Sequence, residues 1–144
     1  MPPRFTGPPI GVQLATTARA VSRAFDAALA AADGSLPVWQ VLLALKTRPT
    51  ANQRELAAAV GIGGATLTHH LDGMESAGLV TRRRDPANRR MHLVELTSLG
   101  EQAFLRLRDI AIAHDRRLRD GIPEEDLEVV RRTLSRMSEN VTPD

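Results

Sequence analysis

Five arginines fall within nine residues, Arg82, Arg83, Arg84, Arg89 and Arg90, with Asp85 the single acidic residue among them. A guanidinium stays charged at any physiological pH, and its fork of donors matches a phosphate or the O6/N7 edge of guanine. A cluster of this kind attracts polyanions in a way that the overall formal charge, +2 over 144 residues, does not. Upstream, Thr66, Thr68 and His69 supply two hydroxyls and an imidazole that can hydrogen bond to phosphates or base edges. Other chemistry is missing. There is no cysteine, which excludes disulfides, thiolate zinc sites and thiol redox sensing. No nucleophile elbow, phosphate loop, metal dyad or carboxylate pair is recognisable, so no enzymatic activity is expected. Adjacent histidines on a helix point about 100° apart, so His69 and His70 do not chelate one metal together. Neither a metal nor a cofactor is expected. Arginine supplies all but one of the 19 basic residues, a bias that suits phosphate contacts and that a GC-rich genome also produces.

These residues need elements to hold them. From Gly11 to about Ala32, Leu14, Ala18, Val21, Phe25 and Leu29 recur at steps of three and four, which predicts a long amphipathic helix stopped by Asp33-Gly34, with glycine taking the left-handed conformation. A second helix is predicted from Pro37 to Arg48-Pro49, turning Val38, Val41, Leu42 and Leu45 to a core. Asn52 to Glu55 has the spacing of a capping box and opens a short helix to Val60. Gly61-Ile62-Gly63-Gly64 breaks that helix, and Ala65 to Ser76 resumes with Leu67, Leu71 and Met74 on one face. Two short helices about a glycine turn make a helix-turn-helix. Leu79–Arg84 and Met91–Leu96 read as strands joined by a turn rich in Asp, Pro and Asn, a hairpin whose tip carries the positive charge. Thr97 is placed to cap a long helix to about Asp120 along Leu99, Ala103, Leu107, Ile110 and His114; Gly121 ends it, and Pro123 starts a last helix bearing Leu127, Val130, Leu134, Met137 and Val141.

The fold class predicted is therefore mainly α with a small β-hairpin wing (α+β), a winged helix-turn-helix flanked by long helices. The chain length suits one compact unit, divided by role into residues 1–35, 36–97 and 98–144. The proline-rich start and the closing Val141–Asp144 read as frayed ends, the first of them also long enough to reach across a partner. The start lacks an apolar signal core and no apolar run approaches the roughly 20 residues of a membrane span, so a cytoplasmic protein is expected.

The order of elements resembles the multiple antibiotic resistance regulator (MarR) family over nearly the whole chain. The strings that carry the resemblance are Leu36-Pro-Val-Trp-Gln-Val-Leu42, Glu55-Leu-Ala, Met74-Glu-Ser-Ala-Gly-Leu-Val80, Arg84-Asp-Pro-Ala-Asn-Arg-Arg90 and Leu96-Thr-Ser-Leu-Gly100. The resemblance implies a homodimer with interlocking first and last helices, two winged modules on the halves of a palindromic double-stranded DNA operator, and a small-molecule effector that releases the repressor. The chain departs from the family pattern at Asn88, where the wing usually has an acidic residue, and at Gly63 and Gly64, where the recognition helix usually begins with a Ser and a longer polar or basic residue. The terminal apolar stripes agree with a dimer, since one small winged domain does not cover them.

With Leu67 and Leu71 inward, Thr66, Thr68 and His69 fall on the outer face of the recognition helix and are assigned to the major groove; the alternative is an ordinary solvated face. His70 leans toward the apolar side and is read as packed. Arg82, Arg84, Arg89 and Arg90 are assigned to phosphates or a narrow minor groove, with structural bridging to acidic groups open as a second role. Arg83 alternates to the other strand face. Arg54, and more weakly Asn52 and Gln53, either touch the DNA backbone at the helix start or simply cap and solvate it. For an effector pocket of the kind the resemblance implies, Trp39, Arg19, Arg23 and His114 are the candidates, with core packing the default for Trp39. The competing function is a winged-helix protein-interaction or architectural module without a specific operator.

Overall fold

The computed structural model describes residues 6–143. Its elements are α1 (Ile10–Ala30), α2 (Leu36–Thr47), β1 (Thr50–Asn52), α3 (Gln53–Val60), α4 (Gly64–Ser76), β2 (Val80–Arg84), β3 (His92–Leu96), α5 (Ser98–Arg119) and α6 (Glu124–Val141). They fall into two compact units, residues up to 111 and from 112 onward. No helix among the described residues is long and apolar enough to cross a membrane.

The first unit is organised around α2. Ser35 caps it by accepting from the Val38 N–H (3.3 Å), and Pro37 occupies its first turn, where no amide partner is lost. Trp39, Val41, Leu42 and Leu45 are all buried, joined by Leu29 of α1, Leu56 of α3, Leu67, Leu71 and Met74 of α4, Val80 and Val94 of the sheet, and Phe104 and Leu107 of α5. Trp39 stacks on Phe104 with ring centroids 5.5 Å apart, a large flat contact in an aromatic-poor core.

The helix-turn-helix forms for the reasons its sequence suggests. The Asn52 side chain accepts from the Glu55 N–H at 2.8 Å, and the Glu55 carboxylate accepts in return from the Asn52 side-chain Nδ2 rather than from the backbone N–H that a full capping box uses. Gly61, at φ 77°, ends α3 in the left-handed conformation. After α4, Gly78 donates to the Glu75 carbonyl and Leu79 to the Met74 carbonyl, a glycine stop that turns the chain into β2.

Two expectations are corrected. A third strand, β1, is present, pairing antiparallel with β3 so that the sheet order is β1-β3-β2. Its three residues are too few to show an alternating pattern, and it is fixed by Ala51, buried beside Val94. At the end of α1 it is Asp33, with φ 59°, that takes the left-handed conformation, while Gly34 donates to the Leu29 carbonyl. Gly34 is needed instead for close approach, because a Cβ there would run into the Leu107 side chain.

The wing and α5 are joined at one dense point. Thr97 donates from its hydroxyl to the Gly78 carbonyl and from its backbone to the Leu79 carbonyl, and its hydroxyl accepts from Gly100. Gly100 is buried, and a Cβ on it would meet the Leu79 carbonyl oxygen. Gly100→Ala is therefore expected to lower unfolding free energy by about 2 kcal/mol, as overpacking against rigid backbone does, and to drop the melting midpoint by roughly 4–8 °C in a circular-dichroism scan. An unchanged midpoint would show that the junction yields.

The apolar stripe of α1 is covered only toward its end. Leu14 is exposed, Val21 and Phe25 are half-buried, and Leu29 is fully buried. In the second unit, Glu124 at the start of α6 accepts from Arg131 (3.1 Å) and Arg119 (2.6 Å), contacts that hold its carboxyl below the usual range. No residue of α6 is buried, and Val130 and Leu134 stand 48% and 44% exposed.

Candidate nucleic-acid interface

The outer face of α4 follows from its inner one. With Leu67, Leu71 and Met74 buried, Thr66, Thr68 and His69 are all exposed, and His70 is half-buried with its ring centroid 5.6 Å from that of His69. Thr68 is already engaged: its hydroxyl donates to the Gly64 carbonyl at 3.0 Å and accepts from Gln53 Nε2 at 3.2 Å. Gln53 thereby ties the first turn of α3 to the exposed face of α4. The N-cap of α4 is Gly63, with no side-chain cap, and nothing lies within 4 Å of where a Cβ would project at Gly63 or Gly64. The first amides of the helix are consequently open, an arrangement that favours anions. Arg54 is exposed in the first turn of α3 and makes no ion pair among the described residues, whereas Arg48 is held by Glu55 at 3.0 Å.

The wing tip is built by two side chains that mimic turns. Asp85 Oδ1 accepts from the Ala87 N–H at 2.9 Å, and Asn88 Oδ1 accepts from the Arg90 N–H at 3.2 Å, while Asp85 and Met91 close the hairpin with a 2.9 Å backbone bond. Asn88 thus shapes the tip through its amide oxygen. From this tip Arg84, Arg89 and Arg90 project, all exposed and without an ion pair among the described residues.

The other two wing arginines are engaged. Arg83 reaches across the ribbon to Glu95 (Nη2 to Oε1, 2.8 Å). Arg82 is turned back onto α4, where Nη2 lies 2.6 Å from Asp72 Oδ1 and 3.1 Å from Glu75 Oε1. Its side chain is only 17% exposed. The hydrogen bond from Arg82 holds the Glu75 carboxyl below its ordinary range, and Glu75 in turn raises the guanidinium pKa. The roles of Asp72, Glu75 and Gln53 as partners were not read from the sequence. For Arg82 a signal was there: residues 80 and 82 share a strand face, and Val80 is buried.

Of the effector candidates, Trp39 is 8% exposed and committed to the Phe104 stack. Arg19 and Arg23 lie exposed on α1, with Arg19 reaching the Thr16 hydroxyl at 3.5 Å. His114 belongs to α5 in the second unit. Among the described residues no three His, Cys, Asp or Glu side chains gather as a metal site.

Comparison with known proteins agrees with this geometry. Residues 35–92 match the model of the MarR family. A Bacillus subtilis (strain 168) protein, the uncharacterized HTH-type transcriptional regulator YdgJ, is 30% identical over 90 residues, which span 62% of this chain and 55% of that relative's length. The transcriptional repressor CouR, solved bound to a 23-mer DNA duplex, is 27% identical and superposes with a TM-score of 0.83 over 90% of this chain and 92% of its own. A second structure, CouR from Rhodococcus jostii RHA1 bound to p-coumaroyl-CoA, shares the fold with a TM-score of 0.81 at 23% identity, over 99% of this chain and 100% of that one. A MarR-family transcriptional regulator from Rhodococcus sp. RHA1 is 27% identical, with a TM-score of 0.79 over 93% and 95% of the two chains. Residues 35–92, the helix-turn-helix and most of the wing, thus match the MarR family model, and the chain is similar in fold to the repressor CouR along nine-tenths of its length.

Proposed function

We propose that this protein is a sequence-specific, double-stranded DNA-binding transcription regulator, a repressor that acts as a homodimer on a palindromic operator in the cytoplasm and catalyses no reaction. One observation carries the reading: a helix with an exposed polar face, Thr66, Thr68 and His69, stands beside a hairpin tip with three exposed arginines, Arg84, Arg89 and Arg90, that make no ion pair among the described residues. A duplex offers the complement to both, base edges in the major groove and phosphate on either side of the minor groove. Arg54 and the open start of α4 add backbone contacts.

The division of labour follows. Residues 36–97 read DNA, and residues 1–35 and 98–144 form the dimer, supported by the uncovered apolar positions of α1 and of α6. A small-molecule effector that shifts the spacing of the two modules would release the operator; Arg19 and Arg23, exposed on α1, suit an anionic ligand. The p-coumaroyl-CoA complex of CouR supports an effector of this general kind.

Footprinting on fragments selected from genomic DNA tests the reading. The expected result is two protected half-sites with centres about 10 base pairs, or one helical turn, apart. Protection of one asymmetric site, or no selection at all, would overturn it.

A further inference from the structure

The hairpin is a two-stranded ribbon beyond its contact with β1, and ribbons of that kind hold their direction poorly by themselves. What ties it sideways to α4 is Arg82. Its Nη2 meets Asp72 Oδ1 at 2.6 Å and Glu75 Oε1 at 3.1 Å, with Nε 3.4 Å from Glu75 Oε2. Asp72 and Glu75 are three residues apart, so both carboxylates rise on one side of the helix and hold one guanidinium between them. The cluster sums to one negative charge, on the very helix that is to approach a polyanion. Carboxylates at such a place repel phosphate, and their presence on α4 calls for a use other than contact.

We propose that Arg82, Asp72 and Glu75 form a latch that fixes the angle of the wing to α4, making Arg82 a positioning residue that aims Arg84, Arg89 and Arg90 rather than a DNA contact itself. The proposal rests on the DNA-binding reading above. It sets Coulomb's law against geometry. Asp72→Asn with Glu75→Gln removes two negative charges per subunit beside the DNA, which by charge alone raises affinity; the latch requires affinity to fall, by about tenfold, because the wing loses its aim. Arg82→Lys separates the same two ideas, since lysine replaces arginine on a phosphate but has no fork to span two carboxylates.

The chain contains no cysteine, so spin labels at Ala65→Cys and Ala87→Cys, both exposed positions, report the distance from the start of α4 to the wing tip in free protein diluted with unlabelled chains. A narrow distribution that broadens in Asp72→Asn/Glu75→Gln and in Arg82→Lys, with operator affinity lowered in both and melting midpoints within a few degrees of the parent, is the result expected. Unchanged distributions, or affinity that rises on neutralising the acids, would overturn the latch and leave the DNA-binding reading intact. Failure of the parent protein to retain any duplex in dilute buffer would overturn that reading instead, whatever the labels report.

Discussion

Replacing Arg84 and Arg89 together with alanine is expected to weaken operator binding by at least about a hundredfold at physiological salt, with the fold unchanged. In a dimer the substitution removes four guanidinium groups. Each phosphate contact made by a fully charged donor contributes on the order of 1 kcal/mol or more, and each releases counterions on binding. The plot of log affinity against log salt should therefore become shallower by about 4. Because neither side chain makes an ion pair among the described residues and both are exposed, the melting midpoint should stay within a degree or two of the parent. A titration series by fluorescence anisotropy at several salt concentrations gives both quantities. Unaltered affinity and slope would favour the protein-interaction module over the regulator.

A second large effect is expected from α6. Leu134→Glu places a carboxylate in the middle of a stripe that one chain leaves open, between the exposed Val130 and the half-buried Met137. If the stripe meets a second copy, the charge must be desolvated on association, at a cost of several kcal/mol. Sedimentation should then show a monomer at concentrations where the parent is a dimer. Operator affinity should fall by about 10²–10⁴-fold, the advantage of linking two half-site contacts in one particle. The helix itself tolerates glutamate, so far-ultraviolet dichroism is expected to hold. A dimeric variant would place the subunit interface elsewhere.

How far residue order alone leads can be seen at particular positions. The bounds of α3, α4 and the wing strands follow from local chemistry, namely the Asn52 cap, glycines 61 and 78 at positive φ, and the Asp-Pro-Ala-Asn turn, each of which acts within six residues. What was not legible depends on neighbours distant in sequence. Strand β1 exists because β3 lies beside it, and Gly34 matters because Leu107 of α5 packs on it. The candidate site divides the same way. That Thr66, Thr68 and His69 are exposed follows from helical periodicity, whereas the ion pairing of Arg82 needed the position of α4 against β2. The alternation that puts residue 82 on the face of buried Val80 held the hint, but charge clustering pointed more loudly to solvent.

On the proposed reading as a regulator, the two glycines that open α4 leave room for retargeting. Gly63 and Gly64 have ordinary negative backbone angles and empty space where side chains would go, so nearly any residue fits without disturbing the scaffold. A helix that approaches its groove with two bare α-carbons leaves part of its base-reading vocabulary unwritten. If α4 reads an operator as proposed, new preferences can be composed at those two positions while the cationic hairpin stays as it is.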